Sequence, residues 1–140
     1  MMPERVSSQA QDTFPRLLIE HAQVRGGKPA MREKDLGIWQ TWTWSQVANE
    51  ARALACGLAA QGVARGDRVA IIGANRPFVY WSMMAVQCLG GISVGLYQDA
   101  IADELEYIFQ NAGIRHAIVE DQEQVDKVLE IKEKVPHIAH

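Results

Sequence analysis

Cysteine is scarce: Cys56 and Cys88 are the only two in 140 residues, too few for a disulfide framework. Both fall within helical periodicity, which points to a reducing compartment. Positive charge is not in excess. Fourteen Lys and Arg stand against 17 Asp and Glu, a formal charge of −3 that gives no basic field for nucleic acid. The most apolar stretch, residues 81–97, is broken by Ser82, Gln87 and Gly90-Gly91, which argues against a membrane span. The N-terminus is polar with mixed charge and does not read as a signal peptide.

Familiar catalytic signatures are also missing. There is no Gly-x-Ser-x-Gly elbow for a hydrolase and no Gly-Lys-Ser/Thr phosphate loop. The turn after the central apolar run keeps Gly73 but lacks the further glycines of a dinucleotide fingerprint. His21, His116, His137 and His140 stand at no metal-ligand spacing, which favours structural or surface roles. The residues alone present no catalytic constellation.

What is present is a chain 48% apolar, enough to build one core. Its organising stretch runs from Gly66 to Tyr97. Val69-Ala70-Ile71-Ile72 is a short, mostly β-branched run bounded by charge and glycine, as suits a strand buried on both faces. Asn75 offers a helix cap and Pro77 fits a first helical turn. Gly90 or Gly91 supplies the left-handed residue that ends the helix, and residues 92–97 form the next strand. Two strands joined by such a helix are expected to lie parallel, with a right-handed crossover.

The flanks follow the same logic. Residues 1–12 read as a flexible arm. Thr13 caps a helix carrying Leu17, Leu18, His21 and Ala22, stopped by Gly26-Gly27. Residues 31–34 and 38–43 form two strands around the Asp35-Leu36-Gly37 turn, with Trp39, Trp42 and Trp44 expected to pack. Thr43 and Gln46 make a capping box for a helix ending at Gly62. Leu105, Ile108, Phe109 and Ala112 mark a helix closed by Asn111 and Gly113, and residues 116–120 a further strand. Residues 122–135 read as a charged helix with Glu123/Lys127 and Glu130/Lys134 pairs, stopped by Pro136. Residues 137–140 look like the start of another strand, so the domain reads as truncated at its C-terminus. The expected fold is α/β: a doubly wound, mostly parallel sheet with a short N-terminal β-hairpin, part of a larger enzyme.

Two further expectations concern surfaces. The helix over residues 78–89 is apolar all round, so either the rest of a longer protein or a second copy, giving a homo-oligomer, is expected to cover it. Ligands of open α/β sheets sit at the carboxyl ends of the strands, here Gly73-Ala74-Asn75-Arg76, Tyr97-Gln98-Asp99 and Glu120-Asp121. Arg76 is expected to pair with a carboxylate, and Tyr97 either packs or presents its ring to a planar group.

The order of motifs carries a resemblance. Thr41-Trp42-Thr43-Trp44-Ser45-Gln46-Val47 is followed by Gly66-Asp67-Arg68-Val69-Ala70-Ile71, Asn75-Arg76-Pro77, Gly90-Gly91, Leu96-Tyr97 and Ile118-Val119-Glu120-Asp121. This resembles the N-terminal part of the AMP-forming acyl-CoA synthetases, the adenylate-forming superfamily, and within it the long-chain fatty-acid–CoA ligases. Phe78, Gly95 and Ala100-Ile101-Ala102 depart from the family pattern and leave the substrate open. The resemblance implies a parent enzyme that uses ATP, Mg²⁺ and coenzyme A and makes acyl-CoA, AMP and pyrophosphate. The family's phosphate loop, ribose-binding acid and adenylation lysine lie downstream, so the 140-residue chain alone is expected to be inactive. Tyr97, Gln98 and Asp99 match a loop that contacts coenzyme A in some members. A cytoplasmic location is implied, with peripheral contact at the inner membrane left open. The alternatives are a free-standing α/β interaction or dimerisation module and a ligase for a different carboxylic acid.

Overall fold

A computed structural model describes residues 13–139. The arm expected at residues 1–12 and the last residue, His140, lie outside them. The chain divides into two compact units, Met1–Asn49 and Glu50–His140.

In the first unit, helix α1 (Phe14–Arg25) starts at Thr13, whose carbonyl accepts the Leu17 N–H at 3.0 Å. The Thr13 side chain makes no cap hydrogen bond, so the position is as expected but the chemistry is not. Gly26 closes the helix because space is short: a Cβ there would run into Ser45 Oγ and the Ala22 carbonyl. Strands β1 (Pro29–Asp35) and β2 (Ile38–Thr43) pair antiparallel from Met31↔Trp42 to Asp35↔Ile38. Their two-residue turn has positive φ at both positions, 46° at Leu36 and 82° at Gly37, the hand that matches strand twist. Helix α2 (Trp44–Ala60) opens on the expected capping box. The Thr43 N–H donates to Gln46 Oε1 at 2.8 Å and the Gln46 N–H to Thr43 Oγ1 at 3.3 Å. Of the tryptophans, Trp44 packs edge-on to His21 at 4.6 Å. Trp39 does not pack as expected and stays exposed.

The second unit is built on β3 (Arg68–Ile72), the centre of a parallel sheet ordered β4-β3-β5, with β4 at Ile92–Leu96 and β5 at His116–Val119. Alternation along β3 divides the core. Ala70 and Ile72 face α4 (Ala102–Ala112) and α5 (Gln122–Ile131), where Leu105, Phe109, Ile114 and Ile131 are fully buried. Val69 faces the opposite side, with Val63, Ile118 and the Val86 of α3 (Pro77–Cys88). Helices thus cover both faces, as a doubly wound sheet requires. Gly90 (φ 72°) and Gly113 (φ 62°) end α3 and α4 in the left-handed conformation.

Three expectations need correction. Asn75 does not cap α3; the cap position is Arg76, without a side-chain bond, and Asn75 Oδ1 accepts the Tyr80 hydroxyl at 2.6 Å. Helix α5 ends at Ile131 rather than Val135, because the chain turns to bury Val135 and Ile138 in the core. Lys134 therefore reaches Glu106 on α4 at 3.1 Å. Residues 137–139 form no strand, although the Ala139 N–H bonds the Arg115 carbonyl at 2.7 Å. Helix α3 is apolar as expected, yet within this chain Phe78, Val79, Trp81, Met83 and Met84 are only half-buried and Tyr80 is exposed.

Asp67, just before β3, joins the entry ends of two strands. Its Oδ2 accepts the Ala64 N–H at 2.9 Å, its Oδ1 lies 3.4 Å from Arg115 Nη1, and His116 Nε2 is 3.6 Å from Oδ2. The Ala64 N–H first, then the Arg115 and His116 charges, outweigh burial and hold the Asp67 carboxyl below its ordinary range. A depressed carboxyl contributes stability that is complete above its unfolded pKa, about 4, and is lost as pH falls through the folded value. Asp67→Ala is therefore expected to cost about 1–2 kcal/mol at neutral pH in urea unfolding, and its deficit should narrow below about pH 4.

Candidate functional site

The carboxyl ends of the three parallel strands bring together the loops where ligands of such sheets sit. Each loop is organised differently. After β3, the chain passes Gly73 and Ala74 into α3. A Cβ on Gly73 would lie 2.9 Å from Glu120 Oε2 and 3.3 Å from Val79 Cγ2, so a side chain there would have to displace the carboxylate. Glu120, directly after β5, accepts the Ala74 N–H through Oε2 at 2.5 Å and meets Arg76 Nε through Oε1 at 3.3 Å. Its own N–H donates to the Ile72 carbonyl at 3.0 Å. The free N–H and the cation at this turn are the groups an anion would seek, and a carboxylate of the chain already holds them. Arg76 thus has the carboxylate partner expected of it.

After β4, Tyr97, Gln98 and Asp99 project into solvent, with Tyr97 87% exposed. The Ala100 N–H bonds the Tyr97 carbonyl at 3.2 Å and Lys127 Nζ bonds the Gln98 carbonyl at 2.8 Å, so the backbone is held while the side chains stay outside. Lys127 is also paired with Glu123 at 2.8 Å. Beside this loop is an open groove of about 910 Å³, with Leu96 and Ile108 in its lining, Tyr97 and Tyr107 as aromatic walls, and carboxylates from Asp99, Asp103 and Glu104. After β5, Asp121 caps α5, its side chain accepting the Gln124 N–H at 3.1 Å.

The three candidate residues thus share one exposed loop, but only Tyr97 and Asp99 line the groove. The Tyr97 ring fits a planar, uncharged group such as a nucleobase. The carboxylates do not fit phosphates, and the groove lining carries no Lys or Arg. Nothing in the sequence around Glu120 marks it as the residue that holds the β3–α3 loop. Arg76 signalled a carboxylate partner, but nothing local selects Glu120, far along the chain. Glu120→Ala is expected to leave the Ala74 N–H without its bond and to cost about 1–3 kcal/mol in chemical unfolding, with Glu120→Gln costing less.

Residues 18–140 match the model of the family described as AMP-binding enzyme. An uncharacterized protein of Mycobacterium tuberculosis is 39% identical over 99 residues, which are 71% of this chain and 56% of that one. The long-chain-fatty-acid–CoA ligase ACSBG2 of Rattus norvegicus is 33% identical over 121 residues, 85% of this chain and 18% of the ligase. Among solved structures, the anthranilate CoA ligase AuaEII in complex with anthranoyl-AMP superposes with a TM-score of 0.81 at 28% identity, over 90% of this chain and 23% of that one. The chain therefore spans about half the length of the first relative and under a fifth of the ligase. With the family model matching nearly its whole length, the chain belongs to the AMP-binding enzyme family, whose members include adenylate-forming acyl-CoA ligases.

Proposed function

We propose that residues 13–140 are the N-terminal α/β subdomain of a long-chain fatty-acid–CoA ligase and that they support catalysis without performing it. One observation carries this: a ligase of that class aligns with 85% of this chain while the chain accounts for only 18% of the ligase. In the proposed parent reaction, a fatty-acid carboxylate oxygen attacks the α-phosphorus of ATP and pyrophosphate leaves. The thiol sulfur of coenzyme A then attacks the acyl carbon and AMP leaves. Mg²⁺, when bound, would supply charge neutralisation for the phosphates. Among the described residues no cluster of three or more His, Cys, Asp or Glu is placed to hold a metal, so no Mg²⁺ contact is assigned to this chain.

The chain's own part is structural and positional. Its sheet presents the Tyr97-Gln98-Asp99 loop, and we assign Tyr97 as the residue that receives the adenine of coenzyme A, with no phosphate contact in this loop. The half-buried apolar face of α3 is assigned to the remainder of the parent enzyme, which would cover it. A second reading has its own support. The M. tuberculosis relative shares 99 residues that make up 56% of it, a larger share than in the ligase, which supports the alternative of a free-standing module. The anthranilate ligase likeness similarly supports a different carboxylic acid as substrate.

Acyl-CoA formation from a long-chain fatty acid, ATP, Mg²⁺ and coenzyme A is expected from the parent protein and not from the 140-residue chain; activity of the chain by itself would overturn the division of labour. In the parent, Tyr97→Ala is expected to raise the KM for coenzyme A about tenfold, on the scale of base stacking, while ATP–pyrophosphate exchange is unchanged. Lost activity with unchanged coenzyme A affinity would remove Tyr97 from that role.

A further inference from the structure

The loop that carries Tyr97 is held by a cation from outside it. The Ala100 N–H bonds the Tyr97 carbonyl at 3.2 Å, so residues 97–100 close a β-turn with Gln98 and Asp99 at its centre. That bond uses the outer groups of the turn. The central peptide, the Gln98 carbonyl and the Asp99 N–H, is left without a partner inside it. Lys127 Nζ of α5 supplies a donor, 2.8 Å from the Gln98 carbonyl. Among the described residues no other side chain hydrogen-bonds this turn. Leu96 and Ala100 pack against the core on either side of it, whereas the side chains of residues 97–99 are exposed.

The orientation of the central peptide is what such a turn can change by the smallest motion. Flipping that one peptide converts type I to type II, sends the carbonyl to the opposite side and requires positive φ at the third residue. Among the described residues Leu36 is the only non-glycine with positive φ, so Asp99 is in the unflipped sense. A flip would break the Lys127 bond and redirect Asp99, which lines the groove together with Tyr97.

Lys127 is suited to the task. Its side chain is 19% exposed, although its i,i+4 partner Glu123, at 2.8 Å, is 71% exposed. The pair is therefore more than a solvated surface pair. The ammonium has three N–H donors, enough for both Glu123 and the Gln98 carbonyl, and its charge strengthens the bond to the carbonyl. Gln98 enters through its backbone, in keeping with the absence of its side chain from the groove lining.

We propose that Lys127 is the positioning residue of the candidate site. By fixing the central peptide of the 97–100 turn it sets where Tyr97 and Asp99 stand, and so the affinity of the groove, without touching the ligand itself. The inference deepens, and rests on, the reading of Tyr97 as the residue that receives the adenine of coenzyme A.

Two measurements test it. In the 140-residue chain, the amide order parameters of Gln98 and Asp99 are expected to fall from about 0.85 toward 0.6 in Lys127→Met, which keeps the stem and removes the donor, and to recover in Lys127→Arg. Lys134→Met removes a comparable cation bridge, to Glu106 on α4, and should leave the turn ordered. In the parent, Lys127→Met is expected to raise the KM for coenzyme A about fivefold, the scale of one net hydrogen bond, with kcat and ATP–pyrophosphate exchange unchanged. Lys127→Arg should return most of that loss. Added to Tyr97→Ala, Lys127→Met is expected to change KM no further, because it acts through that ring. A turn that stays ordered in Lys127→Met would overturn the proposal. So would an equal rise in KM on the Tyr97→Ala background, which would make Lys127 a direct ligand contact. Unchanged coenzyme A affinity in Tyr97→Ala is a different failure: it removes the adenine reading, while the order parameters still decide whether Lys127 holds the turn.

Discussion

The second unit depends on complete burial of one short strand. Val69, Ala70, Ile71 and Ile72 are each exposed by 1% or less. A strand enclosed to that degree must satisfy its backbone on both edges, since an unpaired buried N–H or carbonyl costs on the order of 1–3 kcal/mol. β4 and β5 provide that pairing in register, Ala70 opposite both Val94 and Ala117, Ile72 opposite both Leu96 and Val119. The strand must also be covered on both faces, so the helix after β3 and the helix after β4 lie on opposite sides. Details that look separate follow from this demand. The chain must leave α3 and enter β4 close to β3. At Gly91 a Cβ would come 2.9 Å from Val86 Cγ1 and 3.2 Å from the Asp67 carbonyl, so glycine is required there for space.

The same enclosure shapes the two ends of the sheet. At the entry end, Asp67 gathers the Ala64 N–H, Arg115 and His116; at the exit end, Glu120 gathers the Ala74 N–H and Arg76. In each case one carboxylate belonging to one strand connection bonds the connection of the neighbouring strand. Parallel strands have no hairpin to hold them in register, and these carboxylates supply part of what a tight turn supplies to antiparallel strands. Both are charge-assisted bonds, at entrances and exits where water is partly excluded, so each is stronger than a neutral equivalent.

Much of this was legible in the sequence because it is local. Val69 to Ile72 announces a buried strand by its run of apolar residues; Thr43 and Gln46 announce their capping box by spacing; Gly90 and Gly113 announce helix ends by their freedom at positive φ. What stayed illegible is decided by competing partners and by packing. Asn75 looked like a cap from its position before Pro77, but the Tyr80 hydroxyl, five residues on, takes its side-chain oxygen. Lys134 looked like the partner of Glu130 on one long helix, but burial of Val135 and Ile138 ends the helix early and turns the lysine toward Glu106. The candidate site divides in the same way. Loop position could be read from topology, and the exposure of Tyr97 was one of two open alternatives. The carboxylates beside it come from α4 as well as from the loop, and their convergence on one groove depends on how that helix packs.

That convergence bears on how a ligase built on this segment would divide its labour. ATP and coenzyme A are polyanions, and both reactions of the proposed parent gather negative charge. At the strand ends Arg76, beside the β3 turn, is engaged by Glu120, and the groove by Tyr97 has Asp99, Asp103 and Glu104 in its lining. A carboxylate and a phosphate at contact distance repel by about 1 kcal/mol in water and by about 4 kcal/mol at the lower effective dielectric near a protein surface. The segment therefore disfavours phosphates where its fold would otherwise receive them, while the ring of Tyr97 stays available to an uncharged base. In such an enzyme the cations that hold phosphates must come from the remaining chain. On the proposed reading, this subdomain would meet a ligand through the Tyr97 ring, and its carboxylates would turn the charged part toward the rest of the enzyme.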